Sequence, residues 1–571
     1  MKITGLAALS LIPVLITACD SPVANELDPD ILSLLSGPLA VGEVQSFAGG
    51  SAQRLSVASG AGGAEYLYVV SNVSFAGGQS VAITVEGDGV SPGPATAKLP
   101  AEGSRLDRAA AEHVHGRGLW DLDDGGFHIW HRQREERLVR DMVGGLPAGG
   151  LSLLLQAAPT TAAVPRVGDI IQLNVNAFQA CENPVWQDAR VEAVSAQAIV
   201  VSDTRNPAGL AREDFERIAT EFDQKAYPLA QRNFGDPARQ IGPPRTTIFY
   251  TVAVNELQLP GGAAGLIGGF FFARDLFPRA ALGRLPGCPA SNQQEMFYMR
   301  TADPEGQFGL PTSLGSIQTR TLATVMHEFQ HLINASRRLY VVGADEFEEV
   351  WLNEALSHIA EEVLFYQESG LSAGQNISLD DLRVSQQRLD AVNRFQVQNL
   401  VRYLLYLSDA PAHTPISPTD GLEVRGAAWS FLRYLADQHV ADDAAFFFSL
   451  VNSQRRGIQN LRHNLGMDLQ EPMRRWDVSN FADGLVPNLE PIYRQPSWNF
   501  RSVLPALTQD DVFPLTAERL GPTGSVSVAV RGGSAAFIRF GVPAGQRAML
   551  TTLAGGGTPP ETIRGTLVRI R

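Results

Sequence analysis

The chain has 571 residues, more than one hydrophobic core usually organises, so the sequence predicts several domains. Its composition, 44% hydrophobic and 19% charged, is typical of a soluble globular protein. The net charge of −14 argues against nucleic acid as a partner, because such binding requires basic patches that release counterions. The 54 glycines and 35 prolines indicate many turns, and therefore strands as well as helices.

The first predicted element is an export signal. A basic start at Lys2 precedes an apolar run over residues 3–16, which is too short to span a bilayer comfortably. Small residues then lead to Cys19, and this ending resembles the lipobox of bacterial lipoproteins. The resemblance implies that residues 1–18 are a lipoprotein signal peptide and that Cys19 becomes acylated. The protein would then be exported and lipid-anchored to the cell envelope, at the periplasmic face or the cell surface. An ordinary signal peptide with a chance cysteine is the alternative.

Two cysteines remain in the rest of the chain, Cys181 and Cys288. An even remainder in an exported protein favours a disulfide, because the compartment is oxidising. The alternative is two buried free thiols.

Residues 19–38 are predicted to be a tether, and residues 39–165 a β-rich N-terminal domain with a linker. Short alternating runs between glycine-rich and serine-rich breaks predict a small antiparallel sandwich in the first part of that domain. A charged stretch at 132–142 is helical in pattern. His113 and His115 would share one face of a strand and could bind a metal there, although a solvated linker explains them more simply.

Residues 166–485 form the predicted central domain. Its strands are expected at 169–175, 188–194, 196–202 and 246–252, with a helix at 212–233. The segment 270–275 is a candidate edge strand of a cleft. Residues 395–480 are rich in helical pattern, and strand patterns return in a small C-terminal β domain predicted at 490–571.

The segment from Thr321 to Arg337 fits one helix that carries a metal motif. At about 100° per residue, its apolar residues form one stripe, and His327 and His331 lie one turn apart on the other side. Two imidazoles at this spacing can reach one ion, and the motif His-Glu-x-x-His places Glu328 beside them as a general base. Zinc suits this donor set, because a catalytic zinc site keeps one position for water.

A second predicted helix follows, with the sequence Trp351-Leu-Asn-Glu-Ala-Leu-Ser-His. A His-Glu-x-x-His helix followed by a helix with Asn-Glu-x-x-Ser resembles the gluzincin metallopeptidases, the thermolysin-like group. The wording of both helices is most similar to the hyicolysin-like branch. The resemblance implies a zincin-like fold and Zn²⁺ as cofactor, with His327, His331 and Glu354 as metal ligands and Glu328 as general base.

The match departs from the family pattern at His358. Thermolysin-like enzymes carry there an Asp that orients a ligand histidine, and a neutral imidazole is a poorer partner for that purpose. Glu361 lies on the same helical face as Glu354, seven residues on, and can take over this orienting role. Alternatively, His358 acts on the site directly, or is an ordinary buried or surface histidine.

A peptidase also needs a hydrogen-bond donor for the oxyanion that develops during the reaction. Tyr340, nine residues after His331, is the first candidate from the sequence. The further candidates are Tyr403, Tyr406, His413 and Arg425. A structural role is the alternative for each of them.

The sequence thus predicts a multidomain α+β protein: a β-sandwich N-terminal region, a zincin-like α+β catalytic domain with a helical C-terminal lobe, and a small C-terminal β domain. The main hypothesis is a zinc-dependent endopeptidase that acts on extracytoplasmic proteins or peptides. The alternative is a catalytically inactive surface lipoprotein that retains the zincin fold for binding. Retention of Glu328 favours the enzyme, because zinc binding alone does not require a base.

Overall fold

The computed structural model describes residues 32–34, 37–49, 54–92, 126–147, 149–157, 160–258, 267–508, 511–522 and 524–571. The predicted signal peptide, the lipidation site Cys19, and His113 and His115 lie outside the described residues. The predicted mixed α+β class is confirmed, with several sheets, a helical region toward the C-terminus and a β-rich C-terminal end.

The strands and helices of the described residues are numbered in chain order. The strands are β1 (Leu32–Leu34), β2 (Val44–Phe47), β3 (Arg54–Ala58), β4 (Ala64–Asn72), β5 (Ser80–Asp88), β6 (Thr160–Thr161), β7 (Ile170–Asn174), β8 (Trp186–Val194), β9 (Ala198–Asp203), β10 (Ile241–Gly242), β11 (Thr246–Tyr250), β12 (Gly269–Phe271), β13 (Met296–Met299), β14 (Glu518–Arg519), β15 (Ser525–Arg531), β16 (Ser534–Val542), β17 (Arg547–Ala554) and β18 (Ile563–Arg569). The helices are α1 (Phe127–Val143), α2 (Gly150–Ala157), α3 (Arg212–Glu221), α4 (Tyr227–Phe234), α5 (Val252–Asn255), α6 (Leu314–Arg337), α7 (Val350–Ser369), α8 (Leu379–Arg383), α9 (Gln386–Ala391), α10 (Val397–Ser408), α11 (Leu422–His439), α12 (Asp443–Val451), α13 (Gly457–Leu465), α14 (Gln470–Ala482) and α15 (Phe500–Val503).

Strands from both ends of the chain form two five-stranded sheets. Their orders are β1-β3-β17-β5-β15 and β14-β16-β4-β18-β2, so each sheet combines early and late strands. β16, for example, pairs antiparallel with β4 from Ser534↔Asn72 to Val542↔Ala64. The β segments of 39–165 and 490–571 were predicted to form separate units, but the strand pairing joins them in one sandwich. Each set alone would leave unpaired strand edges, which the other set covers.

The two faces of β4 explain how this sandwich attaches to the rest of the protein. Tyr66, Tyr68 and Val70 point into the core between the two sheets. The alternate residues Leu67 and Val69 belong instead to the main core, which also contains the central sheet and the helices. The sandwich therefore packs directly on the central sheet and the helices.

The central domain is built on a six-stranded sheet of order β12-β13-β11-β9-β8-β7. β13, β11 and β9 run parallel, and β12 pairs antiparallel with β13 at the edge. The edge strand predicted at 270–275 is confirmed only in part, because β12 covers Gly269–Phe271 and a 3-10 helix follows at Ala273–Leu276. A disulfide joins Cys181 to Cys288, which confirms the predicted pairing over the free-thiol alternative.

α6 carries the metal motif and packs between the central sheet and α7. It begins after Ser313, whose hydroxyl accepts the Ser316 N–H at 3.1 Å and caps the helix. It continues into the π-helical turn Arg338–Val342, which ends at Gly343 with a φ of +70°. Within the described part of the chain, every helix falls short of the length and apolarity needed to cross a bilayer.

Asp477 provides a test of how the helical lobe is buried against the sandwich. Its carboxyl group is fully buried, and burial raises its pKa to about 7. In the unfolded chain the same group ionises near 3.9, so this residue costs stability progressively as pH rises from about 4 to 7. We expect Asp477→Asn to raise the free energy of unfolding at pH 8 by on the order of 2 kcal/mol more than at pH 5. Thermal unfolding at the two pH values measures this.

Asp141→Asn, on the exposed side of α1, is the matched control and should show no such pH-dependent gain. An equal effect of Asp477→Asn at both pH values would contradict the burial of an uncharged carboxyl group at this position.

Candidate metal centre

Three side chains converge between α6 and α7. The Nε2 atoms of His327 and His331 lie 3.1 Å apart. Each Nε2 lies 3.4 Å from an oxygen of Glu354, Oε2 for His327 and Oε1 for His331. Ligands bonded at about 2.0–2.1 Å in a tetrahedron stand about 3.3 Å from one another. The separations and the donor types therefore fit a zinc ion, and these three residues would hold it.

His327 is oriented by Glu361. Its Nδ1 lies 2.7 Å from Glu361 Oε1, so the ring N–H donates to the carboxylate and Nε2 faces Glu354 and His331. A carboxylate behind a ligand imidazole fixes the tautomer and raises ligand basicity. Thermolysin-like enzymes have an Asp at the position of His358 that orients a ligand histidine. In this chain the carboxylate of Glu361 makes that contact to His327.

His331 is oriented through a different chain of contacts. Its Nδ1 lies 3.2 Å from Ser357 Oγ, and the Ser357 hydroxyl donates to Gln330 Oε1 at 2.6 Å. Ser357 must therefore accept from the His331 Nδ1–H, which leaves Nε2 as a donor atom for a metal. In the sequence, Ser357 was part of the motif but had no predicted role.

His358 lies beside this network rather than among the three converging donors. It is fully buried, and its Nδ1 is 3.4 Å from Glu361 Oε1. Its ring centroid is 4.8 Å from that of His327. Burial lowers the pKa of His358 to about 3, so the ring is neutral at neutral pH. It packs against His327 and helps to enclose Glu361.

Glu328 is 3% exposed. Burial raises its pKa, against the lowering effects of the neighbouring His327 and Arg132. A general base works best when its pKa lies closer to the operating pH than that of a free carboxyl group. The position and the direction of the pKa shift suit the predicted base.

Two guanidinium groups flank Glu354, which is fully buried. Arg132 Nε donates to Oε1 at 3.1 Å, and Arg425 Nη1 lies 3.5 Å from Oε2. Burial alone would raise the pKa of Glu354, but Arg425, His331 and Arg132 outweigh it and hold that pKa well below its ordinary value. The carboxylate is therefore charged at the centre. Arg132 was not predicted as a site residue, because its charged helix was interpreted as part of a linker.

The predicted oxyanion donors lie in different environments. The hydroxyl of Tyr340 donates to the backbone carbonyl of Leu276. The hydroxyl of Tyr403 donates to Asn480, and the ring of Tyr406 stacks on Trp476. The Nδ1 atom of His413 lies 3.6 Å from an oxygen of Glu423. Of these candidates, Arg425 is the one whose described contacts include Glu354. The role of Tyr340 stays a prediction, with its hydroxyl committed to Leu276.

A known metalloprotease is similar to part of this chain. It is the neutral metalloprotease ShpI of Staphylococcus hyicus, 29% identical over 147 residues. That match covers 26% of this chain and 30% of the relative, so the chain matches less than a third of the relative's length. No family model matches the chain. The similarity supports a metalloprotease relationship in general, which implies a metal ion. The cluster of His327, His331 and Glu354 could bind one.

The contact between Glu361 and His327 leads to a prediction on metal affinity. Glu361→Gln keeps the size of the side chain but removes the charge that fixes the Nδ1–H tautomer. We expect zinc to bind about 10–100-fold more weakly, as is usual when an outer carboxylate partner of a ligand histidine is lost. Competition with a chromogenic chelator measures this. Glu213→Gln, exposed on α3, is the matched control, and equal affinities for the two variants would contradict the orienting role.

The metal-free centre holds a proton that zinc must displace. Burial alone would lower the pKa of His327, but its contacts with Glu354 and Glu361 outweigh burial and raise that pKa to about 9. Burial and Arg132 lower the pKa of His331 to about 3, so this ligand is already neutral. We therefore expect about one proton to be released per zinc, and affinity to rise about tenfold per pH unit from about pH 6.5 to 8.5.

Titration calorimetry in buffers of different ionisation enthalpy counts the protons released on zinc binding. An affinity that stays constant over this pH range, once protonation of the competitor is corrected for, would contradict a protonated His327 in the metal-free protein.

Proposed function

We propose that this chain is a zinc-dependent endopeptidase that hydrolyses peptide bonds in extracytoplasmic proteins. The observation that carries the proposal is the convergence of His327, His331 and Glu354 at zinc-like separations, with Glu328 buried beside them. The similarity to a neutral metalloprotease supports a peptidase in general.

When bound, zinc supplies a Lewis acid that activates water and polarises the scissile carbonyl. The residues of the chain supply the rest of the chemistry. Glu328 accepts the proton of the attacking water, because its buried carboxylate has a raised pKa, and then passes it to the leaving amine. Arg425, which also contacts Asp420 at 2.5 Å, is the proposed donor toward the developing negative charge.

The test is cleavage of an unfolded protein by the purified chain, loaded with zinc, before and after treatment with a chelator. We expect internal fragments, complete loss of cleavage on chelation, and recovery when zinc is restored. Release of single residues instead of fragments would contradict an endopeptidase. Stoichiometric zinc binding without cleavage of any substrate would contradict the enzyme and favour a zincin-fold protein that acts in binding.

We also propose that the chain is exported and anchored through a lipid on Cys19. The apolar run before that residue supports this. The Cys181–Cys288 disulfide is consistent with an oxidising compartment. In a bacterial host, Cys19→Ser should move the protein out of the membrane fraction and remove the acyl mass from the N-terminal peptide. A wild-type protein without that mass would contradict the anchor.

A further inference from the structure

α1 belongs to the core of the catalytic region, although the sequence predicted a linker before residue 166. Val139 is fully buried, and Leu138 and Met142 are at most 6% exposed; all three belong to the same core as α6 and α7. Such burial stabilises a helix in one position, by about 1.5–3 kcal/mol for each large apolar side chain. α1 is therefore a fixed part of the fold, and what it presents to the metal centre is held in place.

The polar face of α1 is tied to the strand at the edge of the central sheet. Burial lowers the pKa of His131 to about 3, so its ring is neutral and Nε2–H donates to the Phe271 carbonyl at 2.8 Å. Glu135 Oε1 accepts the Ala273 N–H at 2.7 Å. Two successive turns of α1 are thus hydrogen-bonded to the backbone at the end of β12 and just after it.

Arg132 lies between these two anchors and reaches the metal centre. Its Nη1 donates to Glu135 Oε2 at 2.7 Å while its Nε donates to Glu354 Oε1 at 3.1 Å. The planar guanidinium therefore joins two carboxylates, one fixed by the backbone just after β12 and one between the histidines. With only 4% of its surface exposed, Arg132 has little freedom to turn away.

Arg425 contacts the opposite oxygen of Glu354 and is fixed in the same manner by Asp420, with Nε to Oδ1 at 2.6 Å. Glu354 thus has a guanidinium and an imidazole at each oxygen. A buried carboxylate without such partners would be costly and free to rotate. The two cations compensate its charge and define the plane of the carboxylate, and neither can replace it as a ligand.

We propose that Arg132 is a positioning residue of the metal centre, which holds Glu354 in its ligand orientation and makes α1 part of the peptidase site. The inference rests on the proposed function, because it concerns the same metal. It extends the functional unit to residues N-terminal of 166, so a catalytic domain cut at that boundary would have an incomplete site.

Zinc affinity of the full chain tests the proposal directly. We expect Arg132→Gln to weaken zinc about 10–100-fold in competition with a chelator, as loss of an outer partner usually does. Arg132→Lys should recover part of this, because an ammonium group keeps the charge but not the planar fork. Arg137→Gln makes the same chemical change at an exposed position of α1 and should bind zinc like the wild type.

Two further measurements separate positioning from general stability. The visible spectrum of the Co²⁺-loaded protein reports ligand geometry and should change in Arg132→Gln but not in Arg137→Gln. If Arg132→Gln does not fold, the double variant Arg132→Gln with Glu135→Gln removes both charges of the pair, and the same loss of zinc affinity is expected from it.

Equal zinc affinities of the Arg132 and Arg137 variants would overturn the proposal, provided that the wild type binds one zinc. A wild type that binds no zinc overturns the proposed function instead. An Arg132→Gln protein with unchanged zinc affinity that cleaves substrate faster than the wild type would also overturn it, because α1 would then be a cover that blocks the site.

Discussion

Replacing Glu328 by Gln should abolish most peptide hydrolysis and leave zinc binding intact. The carboxylate is expected to carry the proton from water to the leaving amine, and a positioned general base contributes about 10²–10⁴-fold to a rate. The amide has nearly the same shape but cannot accept that proton. The Glu328 side chain is 3% exposed, so its size matters for packing. Because Gln has nearly the same size as Glu, the packing should stay unaltered. The measurement is kcat on an unfolded protein substrate, together with zinc content.

Glu213→Gln, on the exposed side of α3, is the control for the chemical change and should have the kcat of the wild type. A Glu328→Gln protein with full zinc content and at least half of the wild-type kcat would contradict the assignment of the base.

Glu354→Gln should cost the protein most of its affinity for zinc. The amide is uncharged and a poor zinc ligand, and it leaves Arg132 and Arg425 facing the centre without their anion. We expect zinc affinity to fall more than about 100-fold, which is the upper end of the loss typical of outer partners such as Glu361. Zinc competition with a chelator of known affinity measures this.

Glu354→Asp is a useful companion, because it keeps the charge but shortens the reach, and should retain more affinity than Glu354→Gln. Full zinc affinity in Glu354→Gln would contradict the third ligand, and would point to a centre formed by His327 with His358 and Glu361.

The parts of the site that could be predicted from sequence are those fixed by helical periodicity. His327 and His331 are one turn apart on α6, and this spacing alone brings two imidazoles to one point. Glu361 was indicated because it lies on the same face of α7 as Glu354, two turns along. Their contacts depend on one helix packing against the next, and the family resemblance supplied that pairing.

The partners that sequence did not reveal are distant along the chain. Arg132 and Glu354 are 222 residues apart, and no local pattern marks a buried arginine in a charged helix as a partner of a carboxylate on another helix. The sequence prediction assigned the strands of the sandwich to two separate domains for the same reason. β16 and β4 show alternation separately, but alternation gives the faces of a strand and not its neighbour.

The central claim is tested most directly by anomalous X-ray scattering at the zinc edge from crystals of the zinc-loaded protein. We predict one strong peak about 2.0–2.1 Å from the Nε2 atoms of His327 and His331 and from a carboxylate oxygen of Glu354. A protein that contains zinc elsewhere, with no peak between these three side chains, would contradict the account.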